Sequence, residues 1–134
     1  MLFRSVLEFG IKREVTVIPG ALTPTEVMMA WKAGGDFIKV FPCAPVGGPS
    51  YIHALKAPFP HVHLVASGGV NQQTAAEFIL AGAVAIGVGT ELIPQKAVQQ
   101  RDQRWISELT RRFLAIIQDA RSRTVARDDG SERR

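Results

Sequence analysis

A lysine in the middle of an apolar segment is the first feature of this sequence that suggests chemistry. Lys39 lies within Phe37-Ile38-Lys39-Val40-Phe41, where burying an unpaired ammonium group would be costly. If the segment is a strand, alternation places Phe37, Lys39 and Phe41 on one face. Two flanking aromatic rings would desolvate the amine and favour the neutral, nucleophilic form that converts a ketone to an imine. A lysine that reaches solvent from an edge strand, or one half of an ion pair, fits the same pattern.

Two corners rich in small residues suggest a second kind of chemistry. Ser67-Gly68-Gly69 and Gly87-Val88-Gly89-Thr90 each follow an apolar, β-branched run. Exposed backbone N–H groups on such corners, together with a hydroxyl group, can hold an anion, and the last strands of parallel barrels are a usual place for phosphate. Glycines that only make tight turns are the alternative interpretation.

Other residues that could take part in chemistry lack the partner residues that such chemistry needs. His61 and His63 are spaced to share a strand face, but no third ligand is placed to join them, so we expect no metal site and no cofactor. Cys43 follows Pro42 and has no evident histidine partner, which favours a small buried side chain over a nucleophile.

Four apolar runs recur at a regular spacing. Their first residues lie 22, 25 and 22 positions apart, and a Pro/Gly-rich corner and a helical pattern follow each of the first three. This rhythm predicts parallel strands with crossover helices. The predicted strands are residues 15–18, 37–41, 62–65 and 84–88.

Helix signals accompany the predicted strands. Thr23-Pro24-Thr25-Glu26 has the form of a capping box with proline in the first turn, and Asn71 can cap a helix over Gln72–Ala81. Pro49–Lys56 is predicted to be a short helix, and Ser5–Lys12 a helix before the first strand.

A long amphipathic helix is predicted after Pro94. We expect it to pack across the open face of the sheet through Trp105, Leu109 and Phe113. Residues 1–120 are then one domain, and residues 121–134 form a charged, frayed tail.

The predicted fold is α/β: about four β/α units, half of a TIM (β/α)8 barrel, plus a long C-terminal helix. Four parallel strands cannot close a barrel of the usual size and leave both sheet edges open. An open sheet, an oligomer or a piece of something larger is therefore expected.

Charge and composition narrow the classes of partner. Residues 1–100 carry 7 Lys/Arg against 6 Asp/Glu, and residues 101–134 carry 9 against 6. The excess of basic residues therefore lies in the C-terminal segment, where acidic residues are interspersed with the arginines. This pattern indicates a solvated surface and no nucleic-acid partner. The absence of a long apolar run and the single cysteine lead us to expect no membrane partner and a cytoplasmic location.

Several segments together resemble the 2-keto-3-deoxy-6-phosphogluconate aldolase family. The resemblance runs from about Leu7 to Pro94, in the family's order and spacing. It is carried by Val17-Ile18-Pro19-Gly20-Ala21-Leu22-Thr23-Pro24-Thr25-Glu26, Phe37-Ile38-Lys39-Val40-Phe41-Pro42, Gly47-Gly48-Pro49, Ala66-Ser67-Gly68-Gly69-Val70 and Gly87-Val88-Gly89-Thr90.

The resemblance implies a class I aldolase whose Schiff base forms on Lys39. The implied substrate is a keto-acid phosphosugar, cleaved to pyruvate and an aldehyde without metal or cofactor, and the family is commonly a homo-oligomer, a trimer. Substrate-contacting positions match Pro19, Phe41 and Ser67. Phosphate-binding positions match Gly68, Gly69 and Thr90.

The departure from the family is large. Its members have four more β/α units, which carry a glutamate that acts as general acid/base and an arginine that grips the substrate carboxylate. No residue here matches either, and losing proton transfer alone typically costs a factor of about a hundred to ten thousand in rate. A catalytically impaired remnant that binds phosphosugars is therefore the second hypothesis. A phosphosugar epimerase or a metal-dependent aldolase would need carboxylate or metal-binding clusters that the strands lack.

Overall fold

The computed structural model describes the backbone of residues 2–131 and the side chains of residues 4–124. Four parallel strands form one sheet in the order of the sequence, which confirms the predicted βα repeat. The strands are β1 (Gly20–Ala21), β2 (Ile38–Val40), β3 (Leu64–Ser67) and β4 (Ala85–Gly87). The α-helices are α1 (Leu2–Ile11), α2 (Pro24–Lys32), α3 (Pro49–Lys56), α4 (Ala75–Leu80), α5 (Gln95–Gln99) and α6 (Gln103–Ser131).

The hydrophobic core lies between one face of the sheet and the helices. Helix α2 packs against β1 and β2, and α4 packs against β4. Their buried side chains, such as Val27 and Phe78, join Ile38, Val40 and Leu64 in a single cluster. Burial of this apolar surface, at about 25 cal/mol per Å², is the main stabilising contribution to the fold.

The opposite face of the sheet is open. Lys39 pairs in register with Gly20 on one side and Val65 on the other. Gly20 and Lys39 are exposed and Val65 is half-buried. Because partners in a parallel ladder point to the same side, these residues form one uncovered surface.

The first strand lies later in the chain than predicted. We placed it at residues 15–18, whereas β1 is Gly20–Ala21. The Asp36 carboxylate accepts a hydrogen bond from Val17 N at 3.0 Å, and Pro19 has no N–H to donate. The ladder therefore begins only after the proline.

The predicted boundaries of helices α3 and α4 can be compared with those in the structure. Helix α3 was predicted with the bounds it has, but α4 begins at Ala75 instead of Gln72. Asn71 Oδ1 accepts from Gln73 N at 3.0 Å and from Thr74 N at 2.9 Å. These bonds close a turn ahead of the helix, so the asparagine organises the corner rather than the first helical turn.

The C-terminal helix was predicted correctly as an element but not in its packing. Helix α6 lies against α4, where Phe113 is 3% exposed and Trp105 is 37% exposed. The expectation that α6 crosses the open face is wrong, because its apolar side chains pack against α4, on the helical side of the sheet. The helix continues to Ser131, into the segment for which fraying is predicted, and residues 132–134 lie outside the described part. No described helix is both long and apolar enough for a bilayer crossing.

The capping box at the start of α2 is confirmed. Thr23 Oγ1 accepts from Glu26 N at 3.3 Å, and Glu26 Oε2 accepts from Thr23 N at 2.7 Å and Leu22 N at 2.9 Å. The backbone N–H of Thr23, then that of Leu22, holds the pKa of the Glu26 carboxyl below its usual value. The carboxylate thus fixes the direction in which the chain leaves β1.

The stability of the protein should depend on pH through Glu26. A lowered folded-state pKa contributes stability that is present above the unfolded pKa and is lost as the pH falls through the folded one. We expect Glu26→Gln to lower the urea midpoint at about pH 6 and to lose most of that effect at about pH 3. Glu8→Gln, an exposed change on α1, is the control; an equal effect of Glu26→Gln at both pH values would contradict this.

A second prediction concerns Gly69, which has φ +80° and where a Cβ would overlap the Ala44 side chain. Gly69→Ala should lower the free energy of unfolding by about 1–2 kcal/mol or more, because left-handed backbone and steric overlap add. Gly20→Ala is the matched control, since a Cβ there meets nothing within 4 Å. Equal urea midpoints for the two variants would show that the corner relaxes freely.

Candidate active site

A cleft of about 410 Å³ opens where β3 and β4 end. We call it the carboxyl-edge cleft. Carboxyl ends of parallel strands meet at one edge of a sheet, which is where ligands bind in most α/β proteins. Its lining consists of Phe41, Ser67, Gly68, Gly69, Val70, Asn71, Gly87, Gly89, Thr90 and Glu91.

The loop after β2 and the corner after β3 are joined by backbone hydrogen bonds. Cys43 N donates to Ser67 O at 2.9 Å, and Ala44 N donates to Gly68 O at 3.0 Å. A Cβ on Gly68 would lie 2.9 Å from Pro42 Cα, so only glycine allows this approach. The two segments thereby form one wall of the cleft.

Backbone donors on the lining are available to a ligand. Within the described residues, the N–H groups of Gly69, Thr90 and Glu91 have no acceptor, and the Thr90 hydroxyl has no hydrogen-bond partner. Groups of this kind satisfy an anion without a nearby cation. The cleft is therefore suited to a phosphate or carboxylate group.

Ser67 connects the two strands that form the cleft. Its side chain is buried at 8% exposure, and its Oγ donates to Gly87 O at 3.3 Å. A Cβ on Gly87 would lie 2.8 Å from that Oγ. The hydroxyl donor is therefore engaged, and its lone pairs remain free to accept a hydrogen bond.

Lys39 lies on the open face of the sheet, beside the cleft. Its Nζ is 5.1 Å from the centroid of the Phe41 ring, and Phe41 lines the cleft with 54% of its surface exposed. Among the described residues, the amine has no hydrogen bond or ion pair. The predicted alternation is confirmed, but the expected desolvation by two aromatic rings is wrong, because Lys39 is exposed.

Pro19 does not join the other predicted site residues. Its side chain is buried, and its Cγ would lie 2.7 Å from a Cβ on Gly35. Its carbonyl accepts from Lys39 N at 2.8 Å, which fixes the register of β1 against β2. Pro19 is thus adjacent to Lys39 through the backbone, while its side chain is not part of the cleft lining.

Five of the predicted residues line the cleft together: Phe41, Ser67, Gly68, Gly69 and Thr90. Their individual roles stay predictions.

The side chains of His61 and His63 pack against aromatic rings. The Trp31 ring centroid is 5.6 Å from that of His61 and 6.2 Å from that of His63. The Phe37 ring is 5.7 Å from His63. This aromatic cluster lies at the end of the sheet opposite the cleft.

Cys43 is a buried packing residue. It is 0% exposed, and its Sγ donates to Val40 O at 3.1 Å. Burial raises the pKa of the thiol, which disfavours the thiolate that a nucleophile needs.

The other five lining residues were not among the predicted site residues. Val70, Gly87 and Gly89 lie in segments that carry the family resemblance, whereas Asn71 and Glu91 lie outside them. Asn71 was interpreted only as a helix cap. Glu91 has no role among the residues predicted from the sequence. Its position directly after the predicted phosphate-binding Thr90 is the signal that could have identified it.

Comparison with known proteins identifies the family. The family model described as KDPG and KHG aldolase matches residues 2–109. The chain is 42% identical over 114 residues to a 2-dehydro-3-deoxy-6-phosphogalactonate aldolase of Escherichia coli K12, covering 84% of this chain and 55% of that protein. It is 30% identical over 109 residues to a 2-dehydro-3-deoxy-phosphogluconate aldolase of Pseudomonas aeruginosa, covering 81% and 50% respectively.

Solved structures agree with the predicted half-barrel. A KDPG aldolase from Legionella pneumophila, with pyruvate captured as a covalent carbinolamine, superposes with a TM-score of 0.71 at 30% identity, covering 82% of this chain and 52% of that one. A native KDPGal structure gives a TM-score of 0.73 at 30% identity, with coverages of 86% and 56%. The chain thus spans about half the length of the relatives it matches. This chain belongs to the KDPG and KHG aldolase family.

Proposed function

We propose that the chain is the imine-forming half of an aldehyde-lyase that cleaves 2-keto-3-deoxy-6-phosphogluconate, its 6-phosphogalactonate analogue or 4-hydroxy-2-oxoglutarate. The Lys39 amine adds to the 2-keto carbon, and water leaves to give an iminium ion. The C4 hydroxyl gives up its proton to a base and becomes the aldehyde carbonyl, while the electron pair of the breaking C3–C4 bond moves to the iminium and forms an enamine. The resulting enamine is protonated and hydrolysed, which releases pyruvate and the free amine.

The observation that carries the proposal is the position of an unpaired amine beside a cleft rich in free donors. Lys39 Nζ lies 5.1 Å from the ring of Phe41, which is itself a lining residue of the cleft. A substrate with a keto group at one end and a phosphate at the other could then span the two. Gly68, Gly69 and Thr90 are proposed to hold the phosphate, with Phe41 and Ser67 beside the keto acid.

The relatives support the covalent step. Pyruvate is captured as a carbinolamine in the Legionella aldolase, and a carbinolamine is the adduct that precedes an imine. We extend this chemistry to Lys39 because it is the lysine on the open face beside the cleft.

Proton transfer is the part of the reaction for which this chain offers no matched residue. The acid/base glutamate that the resemblance implies belongs to the other half of the barrel. We therefore propose that complete turnover requires that half, from another segment or another chain.

A remnant that binds phosphosugars without turnover is the second candidate. It is favoured by the exposure of Lys39, because the described residues do not provide the desolvated pocket that would activate the amine as a nucleophile. The free N–H groups of the cleft would still bind phosphate. The two candidates differ in whether Lys39 reacts.

Self-association is also part of the proposal. Exposed apolar side chains concentrate before β1, where Phe9 and Val15 are each 58% exposed and Ile18 is 48% exposed. A structure described as a protein cage designed by fusing symmetric oligomeric domains superposes with a TM-score of 0.82 at 29% identity. We propose a homo-oligomer, a trimer as the resemblance implies, in the cytoplasm, where the single buried thiol fits a reducing compartment.

Borohydride trapping tests the imine. After incubation with pyruvate and borohydride, mass spectrometry of the intact chain should show one pyruvate-sized adduct, which peptide mapping assigns to Lys39. Lys39→Ala should abolish the adduct, because Lys39 is the lysine next to the lining residue Phe41 and no lysine belongs to the lining itself. Lys32→Ala, an exposed change on α2, is the matched control and should retain it.

A folded sample without any adduct would overturn the lyase assignment and leave the remnant. Folding is checked by the urea transition of each variant. An adduct on Lys32 or on several lysines would indicate non-specific reaction, and it would equally count against a dedicated imine site.

Light scattering tests self-association. The chain has a mass of 14.6 kDa, and we expect a species at three times that mass, since burial of the apolar residues before β1 would favour association. Ile18→Lys should shift the population towards the monomer. A monomer for the parent chain at high concentration would contradict the proposal.

A further inference from the structure

Glu91 is distinctive among the residues that line the carboxyl-edge cleft. Of the ten, all within the described part of the chain, it is the one acidic residue, and none is basic. The remaining lining is glycine, hydroxyl, amide, valine and phenylalanine. No lysine or arginine lines the cleft to offset the carboxylate.

The turn that bears Glu91 is held by its own backbone. Leu92 N and Ile93 N both donate to Gly89 O at 3.0 Å, which closes the chain directly after β4. Thr90 and Glu91 lie inside that closed turn. The turn therefore holds the backbone of Glu91 next to the Thr90 hydroxyl and to the free N–H groups of the cleft.

The carboxylate of Glu91 is uncompensated. Within the described residues it has no hydrogen bond and no ion pair, unlike Glu26, which accepts several bonds. A free carboxylate repels an anion, and a double charge is repelled twice as strongly as a single one. The cleft thus combines N–H donors that attract phosphate with a charge that opposes its dianion.

We propose that Glu91 is the residue that sets the charge preference of the cleft. It limits the affinity for a doubly charged phosphate group, which the backbone donors and the Thr90 hydroxyl would otherwise bind more tightly. This inference rests on the proposed function, because it takes the phosphate end of the substrate to occupy the cleft.

Titration with inorganic phosphate tests the proposal on the full chain. At about pH 8 and low ionic strength, Glu91→Gln should bind phosphate roughly three- to tenfold more tightly than the parent, as expected for one carboxylate acting on a dianion across several ångströms of solvated space. Calorimetry or NMR shift titration gives the dissociation constants. The gain should shrink at about 0.5 M sodium chloride, where the charge is screened.

Two variants serve as controls. Glu91→Asp keeps the charge and should stay within about twofold of the parent. Glu77→Gln removes the same charge from an exposed position on α4, outside the cleft lining, and should also stay within about twofold.

Equal or weaker phosphate binding by Glu91→Gln would overturn the inference, as would an equal gain in Glu77→Gln, since that would show only an effect of net charge. Phosphate binding too weak to measure in every variant would overturn it together with the phosphate role of the cleft. Pyruvate carries no phosphate, so trapping on Lys39 reports separately on the imine and distinguishes a failure here from a failure of the proposed function.

Discussion

In β2, Ile38 and Val40 are fully buried against the helices, and because side chains alternate along a strand, Lys39 must lie on the other face of the sheet. Burying the two aliphatic side chains stabilises the fold by about 1.5–3 kcal/mol each. The lysine therefore reaches the open face as a consequence of the packing that holds the chain together. Pairing in register with Gly20 and Val65 fixes the position of Lys39 along the strand direction.

The cleft depends on a second constraint, the close approach of successive loops at the carboxyl edge. Hydrogen bonds from Cys43 and Ala44 to the corner after β3 leave no space for a side chain on Gly68 or Gly69. The same corner and the turn after β4 keep backbone N–H groups without internal partners. The glycines are thus needed for packing, and the donors they expose provide the means to bind an anion. The same backbone thus serves the packing of the loops and the proposed binding of an anion.

The open face gives physical meaning to the half-length match with the aldolases. A (β/α)8 barrel encloses its strand interior, whereas four strands leave the corresponding face in solvent. Lys39 is exposed here for that reason, and an environment that would tune the amine must come from elements that cover this face. The proposed self-association would likewise remove the exposed apolar side chains near β1 from solvent.

Sequence alone determined the local features: the parallel βα rhythm, the capping box of Thr23 and Glu26, the bounds of α3, the alternation around Lys39, and the residues that meet in the cleft. For the cleft this holds for five of its ten lining residues. These features follow from periodicity, from short-range hydrogen bonds and from motifs at fixed spacing. Tertiary structure decided the rest, because it depends on contacts between distant residues. The first strand begins later than predicted because of Asp36 and Pro19, and the side chain of Pro19 is buried. The apolar side of α6 packs against α4 and not against the open face of the sheet. The exposure of Lys39 and the unpaired Glu91 likewise depend on which elements cover each face, and no local pattern encodes that.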